Sequence, residues 1–373
     1  MVGKIVLARA GSGKTYYIAN DFEEGKSILL LTFTNQNVEN IKEELRVRFQ
    51  GNIPQNINIV TYSSFVYSWL LRPVEKCLTF KNVKSSGVDI NTQPVGNSYP
   101  PKPFYVKDTE LGHYINNKNN RYYSTRMAKL ILKQKKTIWK IIENRLEMLV
   151  DTIYVDEFQD FKGADYELLM LLMKSKKFDV VSVGDFYQHS VAMSSERRGI
   201  PFKKGKSYLS EEEFLGVLPK SIKIDEQSLI YSRRVPQKIC DFIQKKLSID
   251  IDSINEIEGS LSIITNVEEV VGLLNDETCV KLVYMNSRKM LFKPVINWSY
   301  SKGDTYSRVL VVLTDKLDKF IQEDFNFSGL SQKSINELYV ALTRSNDELY
   351  ICKKDVFNKA NELLIKLERK IDS

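Results

Sequence analysis

Histidine and cysteine are scarce in this 373-residue chain, which has two of the first and four of the second. Cys77, Cys240, Cys279 and Cys352 lie far apart, form no CxxC pair, and are joined only by His113 and His189 as soft ligands. That excludes a zinc-type cluster and a disulfide framework, and leaves reduced thiols in a cytosolic compartment as the expectation. No apolar run approaches the roughly 18 residues of a spanning helix, so no membrane contact is expected. Met1 to Lys4 leads straight into an apolar strand, which leaves no room for a signal peptide and points to a cytoplasmic protein. A strong excess of one charge is also missing. The formal net charge of +7 fits a polyanionic partner but is too modest for this length to select one. What remains is ordinary globular composition, 43% hydrophobic and 27% charged, in a chain long enough for two domains.

The most informative stretch is near the start, Ala8-Arg9-Ala10-Gly11-Ser12-Gly13-Lys14-Thr15. It follows the apolar run Ile5–Ala8 and precedes Tyr16–Asn20, which can continue a helix. Strand, tight turn and helix in that order make a phosphate cradle. Gly11 and Gly13 let the backbone bend, and the amides from Ala10 to Tyr16 converge at a helix start, where anions are held by N–H groups and the helix dipole. Lys14 is placed to reach β- and γ-phosphates and the Thr15 hydroxyl to ligate Mg²⁺. Ala8 stands where the general pattern has its first glycine.

Further along, Ser27–Phe33, Thr152–Val155 and Phe178–Gly184 are continuous apolar runs of strand length, the pattern of strands buried on both faces. Val38, Ile41, Leu45 and Phe49 recur at helical spacing, with Asn35 or Asn37 as the expected cap. Alternating strands and helices predict a doubly wound parallel sheet. Residues 81–120, which include Pro100-Pro101-Lys102-Pro103, hold no period and read as an irregular insertion. Residues 123–149 read as one helix, basic on one side, and residues 197–219 as a polar connection. A second set of strands is expected at 279–284, 295–299, 309–313 and 348–352, with helices over 335–343 and 356–371.

Asp156-Glu157-Phe158-Gln159-Asp160 is the second strong signal. Its strand delivers two carboxylates to a C-terminal edge, where open α/β sheets bind their ligands. Asp156 can hold Mg²⁺ and Glu157 can polarise an attacking water, the roles phosphoryl transfer needs.

Eight segments then occur in one order: ARAGSGKT, LTFTN (31–35), VTYSSF (60–65), YVDEFQD (154–160), VGDFYQ (183–188), YSRRVPQKI (231–239), YSKGDTYSRVLVV (300–312) and YVALTRSNDELYI (339–351). In this the chain resembles superfamily 1 helicases of the UvrD/Rep (PcrA-like) group. The resemblance implies two RecA-like domains of the P-loop NTPase class, expected at 1–220, with a small insertion at about 74–149, and at 221–373. It implies ATP with Mg²⁺ between them, and a motor that translocates along single-stranded DNA, 3′ to 5′, as a helicase does. By the same resemblance Gln188 senses the γ-phosphate, Arg234 and Arg344 reach it from the second domain, and Gly303 lies near nucleotide. An ordinary helix-end arginine, paired with Asp347 or Glu348, fits Arg344 equally well on its surroundings alone. The nucleic-acid contacts it implies are Phe33, Thr34, Asn35, Thr61, Tyr62, Ser63, Ser64 and Lys302. For Phe33, base stacking and plain core packing are both open.

Three features depart from that group. The adenine-reading glutamine upstream of the P-loop is absent, and Arg233 replaces the tyrosine that stacks on adenine, leaving Tyr231 or Arg233 as substitutes. Little insertion is expected in the second half, only about 245–293. The third motif lacks its downstream tryptophan, with Phe186 or Tyr187 in its stead. Such a compact chain suggests an alternative: an accessory nucleotide-binding subunit that gates a partner nuclease, as in a phage-defence or mobile-element complex. Other protein partners, such as a replication or repair factor, are also open. RNA is the weaker alternative track, since nothing visibly reads a 2′-hydroxyl.

Overall fold

The computed structural model describes residues 3–80, 83–90, 106–191, 201–205, 207–290, 292–325 and 329–371. Its first half runs β1 (Gly3–Ala8), α1 (Lys14–Asn20), β2 (Ile28–Thr32), α2 (Asn35–Arg48), β3 (Ile57–Thr61), α3 (Ser124–Leu132), α4 (Lys136–Glu147), β4 (Thr152–Asp156), α5 (Ala164–Met173), β5 (Asp179–Gly184), α6 (Glu211–Val217) and β6 (Lys223–Leu229). The strands form one parallel sheet in the order β6-β1-β5-β4-β2-β3. β2 and β4 are buried along their whole length, as their unbroken apolar runs require. Parallel strands end on the same side, so Ala8, Thr32, Asp156 and Gly184 share one edge.

The second half runs α7 (Gln237–Leu247), β7 (Ser260–Ile264), α8 (Val267–Asn275), β8 (Cys279–Val283), β9 (Val295–Asn297), β10 (Tyr306–Val312), α9 (Gln332–Leu342), β11 (Ser345–Cys352) and α10 (Lys354–Ile371). Its sheet, β7-β11-β10-β8-β9, is also parallel throughout. The expected architecture, two RecA-like parallel sheets, is the one observed.

Several local expectations are corrected. Residues 245–293, read as the remnant of an insertion, contain β7 and α8 and complete the second sheet. β6 lies past residue 220 yet hydrogen-bonds to β1, so by sheet membership the first half extends to Leu229. The single helix over 123–149 is two, parted at Lys133–Lys135, where the Gln134 carboxamide turns aside to bond Thr79. The connection before β6 holds α6, started by a reciprocal Ser210/Glu213 capping box. Thr34, not Asn35 or Asn37, caps α2. In the first-half insertion, Gly87–Asp89, Ile115–Asn116 and Arg121–Tyr123 form a small sheet. Pro100–Pro103 and Arg197–Ile200 lie outside the described residues.

The halves are packed against each other. A continuous apolar cluster includes Phe186 from one side and Val235, Leu338 and Tyr339 from the other. α9 runs against the turn Phe186–Val191 that follows β5. No helix among the described residues is long and apolar enough to cross a membrane.

Gly184 closes β5 where Phe158 and Gln159 fold back over the sheet edge. A Cβ there would stand 2.7 Å from Phe158 Cδ1 and 2.9 Å from the Phe158 nitrogen, and would overlap Gln159 Oε1. Gly272, within α8, has nothing within 4 Å of the same position. Gly184→Ala is therefore expected to destabilise the fold by about 1–3 kcal/mol, and Gly272→Ala to be neutral or mildly stabilising. Thermal unfolding of the two variants checks this; equal melting temperatures would refute it.

Candidate nucleotide site at the sheet edge

β1 delivers the glycine turn, with Gly11 at φ 74° and Gly13 at φ 86°, both left-handed conformations that suit glycine. α1 begins at Lys14 with no side chain capping its free amides. From the second half, the segment after β6 lies across this turn. The Arg233 amide donates to the Gly11 carbonyl at 2.9 Å, and Ser232 Oγ donates to the Ala10 carbonyl at 2.7 Å. A Cβ on Gly11 would come within 2.6 Å of Arg234 Cβ.

A cleft of about 370 Å³ opens between the turn and the second half. Gly11 to Tyr16, Asp156, Glu157, Gln188, Arg234, Gly303 and Arg344 line it, with Asn37, Asn40 and Glu44 from one face of α2. The structure thus brings all six expected catalytic residues to one cavity. Ala10 is the exception among the expected cradle residues: it is buried, and its amide donates to the Tyr339 hydroxyl at 2.8 Å. A second hollow, about 340 Å³, adjoins the turn through Ser12, Gly13 and Tyr16 and is walled by Tyr231 and Arg233. The Arg233 guanidinium lies 6.0 Å from the Tyr16 ring centre.

The electrostatics of the cleft are unbalanced. Arg344 is 1% exposed. Its donors go to the carbonyls of Val340, Ser301 and Asp304 and to Thr343 Oγ1. Burial, and then the charge of Arg234, push its pKa down. Arg234 donates to Thr305 Oγ1 at 3.2 Å, but its Nε is buried without a partner among the described residues, as is Ser12 Oγ. Burial lowers the Arg234 pKa as well. Neither guanidinium bonds a carboxylate among the described residues. Buried charge without a counter-charge is costly, and an anion between the two would relieve both.

The carboxylates oppose them. Asp156 accepts from Thr32 Oγ1 at 3.3 Å, and burial together with Glu157 raises its pKa. Glu157 moves the other way. Burial would raise it, but Lys14 at 3.8 Å, Lys302 at 3.9 Å and the Gln159 carboxamide outweigh that. Its backbone is left-handed, φ 54°, a strained conformation for a non-glycine residue. The donors available to a cation are few and all oxygen, the Thr15 hydroxyl and the Asp156 carboxylate. That suits Mg²⁺, which takes one or two protein oxygens and completes its shell with phosphate and water. Among the described residues no group of three His, Cys, Asp or Glu could hold a metal alone.

The expected nucleic-acid residues divide. Asn35 is exposed and Ser63 half-buried. Thr34 Oγ1 accepts from the Asn37 amide and Thr61 Oγ1 from the Ser64 amide, so both cap local turns. Ser64 is exposed. Tyr62 is corrected to core: it is 6% exposed, its ring is edge-on to Phe161, and its hydroxyl donates to Asp165. Phe33 packs into the same cluster, 4.7 Å from Phe161. Lys302 does not face outward either; its Nζ is 2.7 Å from Asp160, across the interface. Residues that sequence reasoning passed over include Arg9, whose guanidinium grips Glu211 with two bonds and reaches the Asp250 carbonyl. Asp185 was legible in principle, since it follows a buried strand as Asp156 does.

A glycine turn between strand and helix, paired carboxylates at the end of β4 and two parallel sheets define a helicase-like P-loop NTPase fold. The chain belongs to the AAA domain family (AAA_19), which matches residues 3–193. It is 26% identical over 286 residues to the Gabija protein GajB of Bacillus cereus (strain VD045), covering 69% of this chain. The chain spans about half the length of that curated relative. Among solved structures it is similar to the arterivirus nonstructural protein 10 helicase, at 14% identity and TM-score 0.48, covering 96% of this chain and 61% of that one. The same helicase in complex with DNA matches at 14% identity and TM-score 0.47, covering 97% and 63%. With TM-scores below 0.5 these structural likenesses carry no functional weight.

His189, beside Gln188, joins the halves. It stacks on Phe202 at 4.5 Å and meets Asn336 of α9, while its Nδ1 lies 2.7 Å from the Phe186 carbonyl. Burial is the largest influence and pushes the ring's pKa down to about 3, against about 6.5 in an unfolded chain. Between those values only the unfolded chain binds the proton, so stability falls as pH drops below about 6.5 and levels off once pH is below the folded value. Melting temperature measured from pH 7 to pH 4 should therefore decline less steeply for His189→Asn than for the wild type. Parallel curves would refute the assignment.

Proposed function

We propose that the chain is a UvrD-like motor that hydrolyses ATP with Mg²⁺ and translocates along single-stranded DNA, 3′ to 5′. The observation that carries this is the pair of guanidinium groups in one cleft with the glycine turn, Arg344 buried and Arg234 half-buried, neither hydrogen-bonded to a carboxylate among the described residues. In this reading the turn amides and Lys14 hold the β- and γ-phosphates, and Lys14 exchanges its Glu157 neighbour for them. Glu157 takes up a proton from the attacking water as that water's oxygen bonds to the γ-phosphorus and the bond from the γ-phosphorus to the bridging oxygen breaks, ADP leaving with the electron pair, and Gln188 orients the water. Arg234 and Arg344 stabilise the charge that builds on the transferred group, an electrostatic role suited to a dry site. Thr15 and Asp156 would hold Mg²⁺, which neutralises phosphate charge when bound. The second hollow, with Tyr16, Tyr231 and Arg233, would take the base.

Both arginines come from the second half, so opening the cleft removes them and closing it restores them. That couples turnover to relative motion of two RecA-like domains, divided near Leu229. The strand would run over the C-terminal edges of the sheets, past Asn35 and Ser63. The likeness to a Gabija protein favours a second reading, an accessory subunit whose nucleotide state gates a partner nuclease. Co-purification from native cells separates that reading from a self-sufficient motor.

ATP hydrolysis with and without oligo(dT) is the direct test, with an RNA oligonucleotide as competitor. Lys14→Ala and Glu157→Gln are each expected to lower DNA-stimulated turnover by about 100-fold or more. Intact hydrolysis in either variant would overturn the assignment.

A further inference from the structure

One hydrogen-bond chain crosses the interface and touches both sides of the cleft. It starts at the P-loop, where the Ala10 amide donates to the Tyr339 hydroxyl at 2.8 Å. Tyr339, from α9 in the second half, donates in turn to Asp185 Oδ2 at 3.2 Å. The same carboxylate oxygen accepts from Gln188 Nε2 at 2.8 Å. On the other side of this residue, the Asp185 amide donates to Gln159 Oε1 at 3.0 Å, and Gln159 Nε2 donates to Glu157. Tyr339, Asp185 and Gln159 are each 0% exposed, and Gln188 3%.

The chemistry of the chain is directional. A phenol has one proton to give, and Ala10 already fills its acceptor side, so that proton is committed to Asp185. Burial holds the Tyr339 pKa well above its ordinary value, which keeps the donor in place at neutral pH. Gln188 spends one of its two amide N–H groups on Asp185, which anchors the end of the side chain. The second N–H can donate to a phosphate oxygen and the carbonyl oxygen can accept from a water.

We propose that Tyr339 is a positioning residue: by joining Ala10 to Asp185 across the closed interface, it holds the carboxylate that anchors Gln188 and so keeps the carboxamide in one orientation at the cleft. This rests on the hydrolysis reading above and adds to it a link between closure of the halves and the orientation of the glutamine. Separation of α9 from the turn breaks the Ala10 and Asp185 bonds together. The Asp185 carboxylate then loses one of its two side-chain donors, and the glutamine is no longer held in one orientation.

The test is Tyr339→Phe, which keeps the ring and removes only the hydroxyl. The expected result is a fall in kcat of about tenfold, with KM for ATP and the dissociation constant of a fluorescent ADP both within about twofold of wild type. In a double-mutant cycle, Asp185→Asn should add little to the loss already caused by Tyr339→Phe. An unchanged kcat, a KM that rises in proportion as kcat falls, or losses that multiply independently would each overturn the positioning role. The two readings fail differently. A wild type that binds the fluorescent ADP yet turns over no ATP removes the hydrolysis reading and this role with it. A wild type that turns over, matched by an equally active Tyr339→Phe, removes the positioning role alone.

Discussion

Arg234 lies so close to Gly11 that no side chain could stand between them. This contact fixes much else. It requires a glycine in a left-handed turn, brings the second half over the glycine loop, and buries a guanidinium nitrogen that has no partner among the described residues. The second buried arginine then adds like charge beside it. A fold of marginal stability does not keep two such charges without return. An anion held between the loop and both guanidinium groups would offset that cost. The cleft is thus poised rather than satisfied: its cations outrun its counter-charges on one wall, while carboxylates crowd the other.

The interface around that contact is built in two chemistries. An apolar seam through Phe186, Val235 and Leu338 supplies non-directional attraction. Polar contacts of strict geometry are set into it, Arg9 to the Asp250 carbonyl, Lys302 to Asp160, and Tyr339 to Ala10 and Asp185. The seam allows closure, and the polar contacts determine what is aligned when closure occurs. Arg344 shows the same division: backbone carbonyls hold it in place, and none of its described hydrogen bonds goes to a carboxylate.

The glycine turn and the Asp156-Glu157 pair were legible because their chemistry is local: a strand, a bend and a helix start are adjacent in the chain. Strands β2 and β4 were legible because burial on both faces leaves an unbroken apolar run. β7 was not, because its edge position leaves Ser260, Leu261 and Ser262 only half-buried and dilutes the pattern. Tyr62 misled because an aromatic that packs on Phe161 and one that stacks on a base have the same letter and the same neighbours. Lys302 misled for a related reason. In the family it resembles, its segment touches nucleotide and strand alike, and only the crossing of the interface reveals Asp160 opposite it. The left-handed backbone of Glu157 leaves no mark on the sequence at all.

The sixth strand of the first sheet has a consequence for dissecting this chain. β6 covers the outer edge of β1, the strand that carries the phosphate turn. A fragment cut at residue 220 would strip that cover and leave a row of free amides and carbonyls beside the turn. Bare edges of this kind invite pairing with another copy, so the amino half cut there is prone to self-association, whereas a piece that keeps Leu229 retains its own seal.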